Sequence, residues 1–322
     1  MTRRSWTAVI AGVVLVAGLG LWWWIPDSTP DHHASDPLRP NESGTALFLD
    51  GSGSEPVVAQ VGADGHGAAT RSGLKCQRVY GAAGTTVCLY ETYRPPGFKA
   101  AVYDRRMSRV AAVRVDGTPS RARVSPSGAL VAWTVFRTGD SYQPHGRFST
   151  TTGIMDADGG RLHASLEDFA AYVDGKRYDA KDSNYWGVTF ASDDNTFYVT
   201  LSSRGHTWLM RGDLRRERLT SVRTNVECPS LSPDGTRIAY KKKVSDDRDH
   251  PWRLHVLTLK GGKDVALAER HSVDDQAVWM GADTIAYARP INGKGPSVYT
   301  VPANGSGAPR LWRASASSVS PL

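Results

Sequence analysis

Three sets of side chains in this sequence are of types that do chemistry. Asp182, Asn225, Glu227, Asp274, Asp275 and Gln276 are acid or amide groups that fall where short apolar strands begin. Carboxylates in pairs can serve as general acid and base on a glycosidic or peptide bond, if their separation and pKa values suit. Clustered, they offer oxygen ligands to calcium, the one cofactor the sequence suggests. A cationic set, Lys75, Arg78, Arg121 and Arg123, occupies corresponding places elsewhere, so the two sets predict an electrically lopsided surface. The third set lies in a long insertion. Glu167, Asp168, Tyr172, Asp174, Lys176, Arg177, Tyr178 and Asp179, followed by Tyr185 and Trp186, interleave aromatic rings with charges. Such mixtures suit recognition, because they combine rigid apolar area with directional hydrogen bonds. Equally, Phe169 and Tyr172 can pin the insertion to the domain edge while its charges face water.

Other chemistry lacks its residues. No Gly-x-Ser-x-Gly nucleophile motif occurs, and no cysteine or histidine set has zinc-ligand spacing. Cys76 and Cys88 face one another if the loop between them is centred on Ala82, which allows a disulfide in an oxidising compartment. Cys228 stands apart and reads as a buried free thiol.

These residues are positioned by a repeat. Ser232-Pro233-Asp234-Gly235 runs into the alternating strand Ile238-Ala239-Tyr240, a turn-then-strand pattern. Similar turns occur at Ser125-Pro126-Ser127-Gly128, Ser192-Asp193-Asp194-Asn195, Met280-Gly281-Ala282-Asp283 and Gly81-Ala82-Ala83-Gly84. A second hairpin follows each first one, with turns at Asp64-Gly65, Asp104-Arg105-Arg106-Met107, Asp156-Ala157-Asp158-Gly159, Arg211-Gly212-Asp213, Lys260-Gly261-Gly262 and Asn304-Gly305. The missing first hairpin is split between the ends. Ser318-Val319-Ser320-Pro321 matches Arg123-Val124-Ser125-Pro126, and Thr45-Ala46-Leu47-Phe48 resumes the pattern. Four-stranded repeats of roughly 40–55 residues predict an all-β propeller of four-stranded antiparallel blades. The arithmetic gives six blades closed by a C-terminal strand, with five or seven as alternatives.

The chain before residue 43 reads differently. After Arg3 and Arg4 an uncharged run reaches Ile25, ending in Trp22-Trp23-Trp24. Its length and flanks predict a membrane anchor over 1–25, with the N-terminus cytoplasmic and the remainder extracytoplasmic. A cleaved signal peptide is the rival reading, with a small-x-small site at Gly18-Leu19-Gly20. Residues 26–42 are rich in Pro, Asp and His without apolar periodicity, and read as a disordered stalk. The propeller then occupies 43–322. The net charge of +7 is spread along the chain. Lys241-Lys242-Lys243 reads as solvated surface, and no aromatic-rich basic groove suggests nucleic acid. Acidic envelope polymers or anionic headgroups suit the charge better.

The Ser-Pro-Asp-Gly-Thr-x-Ile-Ala-Tyr repeat resembles the propeller repeats of TolB and of the prolyl oligopeptidase propeller. Ser165-Leu166-Glu167-Asp168-Phe169, Tyr185-Trp186-Gly187-Val188-Thr189-Phe190, Asn225 to Gly235 and Ser272-Val273-Asp274-Asp275-Gln276 look like the membrane-anchored TolB-like propellers of actinobacteria. That resemblance implies the fold and the anchored architecture, with no established activity. Gly205-His206-Thr207-Trp208 matches only the end of a sialidase Asp-box and reads as a turn.

In a propeller the connections that vary in length mark the working face. Here those are 138–147, 165–184, 244–251 and 289–297, between second and third strands or between blades. Two functions follow. One is a non-catalytic binding or scaffold module for a protein or envelope polymer. The other is a propeller enzyme, a lyase or hydrolase acting on glycan or peptide, with its carboxylates at the channel mouth.

Overall fold

The structure is a computed structural model that describes residues 37–137, 149–247, 249–291 and 294–322. The expected anchor over 1–25, the stalk as far as residue 36, and the connection 138–147 lie outside the described residues. Among the described residues no helix is long and apolar enough to cross a membrane.

The described residues form six sheets, five of four strands and one of six. Each sheet is a blade with strands a to d running outward, and the six a strands touch their neighbours in a ring around one axis. Blade 1 takes its strand a from Ala316–Pro321 and its strands b, c and d from Thr45–Asp50, Val57–Gly62 and Thr70–Lys75. The junction pairs Leu47 with Ser320 and Asp50 with Ala316. Leu322 N–H donates to Thr45 O at 2.9 Å, and Ser320 Oγ accepts from Gly81 N–H of blade 2 at 3.0 Å. The C-terminal strand therefore closes the ring, as the split repeat predicts.

The a–b turns form because their side chains satisfy their own backbone. In blade 5 Asp234 Oδ1 accepts from Thr236 N–H at 3.0 Å, while Ser232 N–H donates to Arg237 O at 2.8 Å. The Ser232 hydroxyl and the Thr236 amide and hydroxyl hold the Asp234 carboxyl down at about 2. Pro126 and Gly128 shape the turn of blade 3 in the same manner, with Gly128 N–H donating to Ser125 O at 2.9 Å.

Bulges at the axis are the feature with no sequence signature. Strand a of blade 4, Asn184–Phe190, slips register between Trp186 and Thr189, and strand a of blade 5, Glu227–Leu231, between Glu227 and Ser230. The bulge residues are Gly187 at φ +73° and Cys228 at φ +48°; in blade 1 Ser318 at φ +49° occupies the matching place. A strand-b hydroxyl of the preceding blade accepts from the bulged amide, Thr134 Oγ1 for Gly187 at 3.4 Å and Thr200 Oγ1 for Cys228 at 2.9 Å. Blades are thus locked by hydrogen bonds at the axis and by apolar packing farther out. Between blades 3 and 4, for instance, Ala132 and Ile154 pack with Phe190, Phe197 and Leu201.

Several expectations need correcting. Leu38, placed in the stalk, is fully buried with Leu47, Val58 and Met107. Gln60 clamps that segment, accepting from Arg39 N–H at 2.7 Å and donating to Arg39 O at 2.9 Å, so the domain starts before residue 43. Arg211-Gly212-Asp213 belongs to strand c of blade 4, His206–Asp213, and the turn follows it. Within 289–297, the described residues 289–291 and 294–297 are not a loop but paired strand ends, with Arg289 opposite Ser297 and Pro290 opposite Pro296. In blade 2 Val79, not Cys76, opposes Cys88. Cys76 lies just before strand a, Arg78–Ala82, and its bond to Cys88 spans a Cα–Cα distance of 5.6 Å. That disulfide ties the blade 1–2 connection to strand b.

Two substitutions test this frame. A Cβ on Gly187 would sit 2.9 Å from Cys228 Cα in a left-handed backbone, so Gly187→Ala should cost ~2 kcal/mol or more in urea unfolding. Deleting residues 316–322 should remove the cooperative thermal transition; an unchanged melting curve would show that closure does not hold the ring.

Candidate functional site

The starts of the a strands do converge, but the charges there neutralise one another instead of dividing the mouth. Asp274, just before strand a of blade 6 (Val278–Trp279), receives Lys241 Nζ at 2.6 Å and Arg121 at 3.4 Å. Arg121 comes from strand a of blade 3, Thr118–Val124, and Lys241 from strand b of blade 5, Arg237–Lys243. Lys241 also reaches Glu227 Oε2 at 3.8 Å and lies 3.8 Å from the Trp252 ring centre, whose Nε1–H donates to Glu227 Oε1 at 3.0 Å. Lys241 is 3% exposed, which corrects its reading as solvated surface. Lys75 is likewise misplaced at the mouth; it ends strand d of blade 1 and pairs with Glu55.

The channel itself is bolted. Gln276 Nε2 crosses from blade 6 to donate to Val188 O at 3.0 Å and Pro229 O at 2.8 Å, on blades 4 and 5. Asp275 Oδ2 accepts from Ala288 N–H at 2.8 Å. A cavity of about 30 Å³ remains beside Arg78, Arg121, Arg123 and Asp275, too small for a sugar or peptide. Burial pushes the Asp274 carboxyl up, and the Lys241 and Arg121 cations outweigh it and hold it below the ordinary carboxylate value. Its side chain is 64% exposed, so solvent screens the pair. Burial pulls the Lys241 ammonium down, while Cys228, Asp274 and Glu227 outweigh that and hold it above the lysine value. The donor set does not fit calcium, because an ammonium already sits among the oxygens. Among the described residues no group of three or more His, Cys, Asp or Glu side chains is arranged to hold a metal ion.

The insertion 165–184 is a fitted part of blade 4, not a free loop. Ala170–Val173 pairs in parallel with strand d, Arg218–Thr224, and Lys176–Arg177 pairs back on it, giving the six-stranded sheet. Leu166 and Phe169 are buried, and the Phe169 ring lies 6.2 Å from that of Phe197. Tyr172 is half-buried under the Arg218 guanidinium at 4.0 Å. Tyr178 donates to Ser203 Oγ at 2.8 Å, and Ser203 donates to Asp182 Oδ1 at 2.5 Å. Asp168, Lys176 and Arg177 are exposed, Arg177 holding Asp179 at 2.7 Å. Tyr185 and Trp186 are buried in strand a, so neither is available to a partner. Burial pushes the Tyr185 phenol well up.

On the expected face a polar cleft of about 500 Å³ lies between blades 4 and 5. It is lined by His206 and Thr207 of blade 4, by Asn225 and Glu227, and by Lys243, Val244, Ser245 and Asp246 of the blade 5 connection. Asn225, at φ +57°, fixes its wall: Oδ1 accepts from Lys243 N–H at 2.9 Å and Nδ2 donates to Lys243 O at 3.0 Å. Of the candidate residues only Asn225 and Glu227 reach this cleft. His206, Lys243 and Ser245 were missed, although the length of the 244–251 connection marks their neighbourhood. A funnel of about 290 Å³ lined by Phe190, Pro233 and Trp279 opens on the opposite, a–b face.

The charge network has a pH signature. With its folded value below 3.8, Asp274 contributes stability that is complete above about pH 5 and is lost as pH falls through the folded value. With its folded value above 10.5, Lys241 contributes fully below the unfolded value and loses this as pH rises through the folded one. Thermal melts of Asp274→Asn should therefore fall less steeply than the parent's on acidification below about pH 4. An acid limb of parental steepness would mean that Asp274 is not ion-paired in solution.

No family model matches the sequence, and no curated protein matches it. Among solved structures the chain is similar to TolB from Acinetobacter baumannii, at a TM-score of 0.57 and 13% identity over 87% of this chain and 67% of that one. A chain of a nidogen/laminin complex gives 0.54 and 9% identity, over 86% of this chain and 98% of that one. Oligogalacturonate lyase from Vibrio parahaemolyticus gives 0.51 and 10%, over 83% and 78%. At these identities the likeness establishes the six-bladed fold, which binding proteins and enzymes share.

Proposed function

We propose that this chain is a non-catalytic binding propeller, carried outside the cytoplasmic membrane on its N-terminal segment, that holds an acidic envelope polymer in the cleft between blades 4 and 5. The open polar cleft of about 500 Å³ carries this reading. Among its described lining residues Val244 is the one aliphatic side chain. Protein partners usually anchor on aromatic or arginine hot spots in dry pockets, whereas this lining of hydroxyl, amide and imidazole groups, with the Glu227 and Asp246 carboxylates and a Lys243 ammonium that Asp246 holds at 2.7 Å, suits a hydrated polymer. The basic pI of about 9.3, a property of the whole chain and not of the cleft, favours an acidic one.

Two further observations support the non-catalytic part. Among the described residues, every carboxyl displaced from its ordinary value is displaced downward, Asp182 and Asp274 included. A general acid at neutral pH needs the opposite. The mouth carboxylates are also already engaged by Lys241, Arg121 and Trp252. The extracytoplasmic part is supported by the Cys76–Cys88 bond, which belongs to an oxidising compartment. The apolar run after Arg3 and Arg4 supports anchoring, and the wider resemblance to membrane-anchored TolB-like propellers of actinobacteria agrees with it.

Co-sedimentation of the full-length chain with isolated envelope polymer tests the reading. Lys243→Glu with Ser245→Trp should reduce retention about tenfold, the loss of roughly 1.4 kcal/mol, while Lys176→Glu with Arg177→Glu should leave it unchanged. Loss confined to the second pair would move the binding surface to the blade 4 hairpin, and release of polymer fragments would establish an enzyme.

A further inference from the structure

The cavity on the axis contains more positive charge than its protein partners neutralise. Three guanidinium groups, Arg78, Arg121 and Arg123, line it against one carboxylate, Asp275, while Lys241, Cys228, Glu227 and Asp274 form the network beside it. Two of the three carboxylates are spoken for. Asp274 takes Lys241 at 2.6 Å and Arg121 at 3.4 Å, and Glu227 takes Trp252 and Lys241; Asp275 accepts the uncharged Ala288 amide and sets its single negative charge against the three guanidinium groups. Arg78 Nε and Arg121 share one carbonyl, Ser120 O, at 2.6 and 2.9 Å. Arg123, 5% exposed, has the Tyr80 ring 4.5 Å from its guanidinium carbon and a long 3.4 Å bond to Ala277 O.

Two of these guanidinium groups are left incomplete. Arg121 Nε and Arg123 Nε are both buried without a hydrogen-bond partner among the described residues. An unpaired buried donor is costly, and a charged one more so. Arg121 and Arg123 both line the 30 Å³ cavity, with Arg78, Ser120 and Ser318 beside them. Burial first, and the nearby Arg121 cation second, pull the Arg78 guanidinium down against the opposing Asp275 and Asp274 carboxylates. A space of this size takes about one water-sized particle.

We propose that this axial cavity is a binding site for one small monovalent anion, of the size and charge of chloride. Such an ion accepts from both orphaned Nε–H groups and from the serine hydroxyls, and it cancels the excess cation that a water molecule would leave. Sulfate, phosphate and carboxylates of sugar size do not fit the space. The anion is then a structural pin: it joins blade 2 through Arg78, blade 3 through Arg121 and Arg123, and blade 1 through Ser318. It is independent of the polymer-binding cleft.

The test uses the purified full-length chain. At matched ionic strength, chloride or bromide in place of gluconate should raise the melting temperature saturably. The rise should be on the order of 5 °C at a hundred times the dissociation constant. Crystals grown in bromide should show an anomalous peak between Arg121 and Arg123. Arg123→Met should lose the halide dependence; should that variant not fold, the bromide experiment on the parent decides alone. Equal melting in chloride and gluconate, or no bromide at the cavity, overturns the proposal and leaves water as the occupant.

Discussion

Pairing of Ala316–Pro321 with Thr45–Asp50 is the contact on which the rest depends. A ring of blades has no terminal caps, so every inter-blade interface is satisfied only if the last blade meets the first. Here the closing contact lies within one sheet and not merely between two, and it joins residues more than 250 positions apart. Backbone hydrogen bonds on both sides of Leu322, with Thr45 and Gly44, make it a ladder. The cost of bringing distant segments together is entropic and grows slowly with length. Once met, the ladder fixes the radius of the ring and so the spacing of the six a strands.

That radius decides what the axis can do. Strands this close bring Gly187 against Cys228 and allow Gln276 to span from blade 6 to carbonyls on blades 4 and 5. The channel mouth therefore becomes a place where charges cancel, and Lys241 and Arg121 occupy the carboxylates that sequence reasoning assigns to acid–base work. Open space lies off axis, where the blade 5 connection stands away from the b–c turn of blade 4. Asn225 links the two regions. Its amide holds that connection open through Lys243, while Glu227, two residues on, reaches both the cleft lining and the axial network.

The turns were legible because turn geometry demands particular residues: Pro for a fixed φ, Asp or Ser for local hydrogen bonds, Gly for the left-handed position. The blade count and the split blade follow from them. The bulges were not legible, since Gly187, Cys228 and Ser318 share a backbone angle and no chemistry. Lys241 was misread for a related reason. Strand b lies between two neighbours and is buried on both faces, so Ile238, Ala239, Tyr240 and Lys241 are all buried and no alternation separates inward from outward. Tyr185 and Trp186 follow a variable insertion in sequence, yet they lie inside strand a, which is buried from its first residue, Asn184. Adjacency to a loop says nothing about which side of the strand boundary a ring falls on.

The insertion shows how a long connection can be mostly structural. Strand d of a blade is an exposed edge, and an unpaired edge invites other chains to pair with it. In blade 4 that edge is occupied by Ala170–Val173 in parallel, anchored by Phe169 beneath and by the Arg218 guanidinium over Tyr172. Parallel pairing requires the chain to travel from blade 3 around the outside before returning to the axis, which accounts for the insertion's length without any ligand. The short hairpin return through Lys176–Arg177 leaves only a two-residue edge, and a charged one. Beside the blade 5 connection, by contrast, the exposed Lys243, Val244 and Asp246 line open space. Length alone does not separate these two connections, but what each one buries does: the insertion covers a strand edge, and the cleft beside the blade 5 connection stays open.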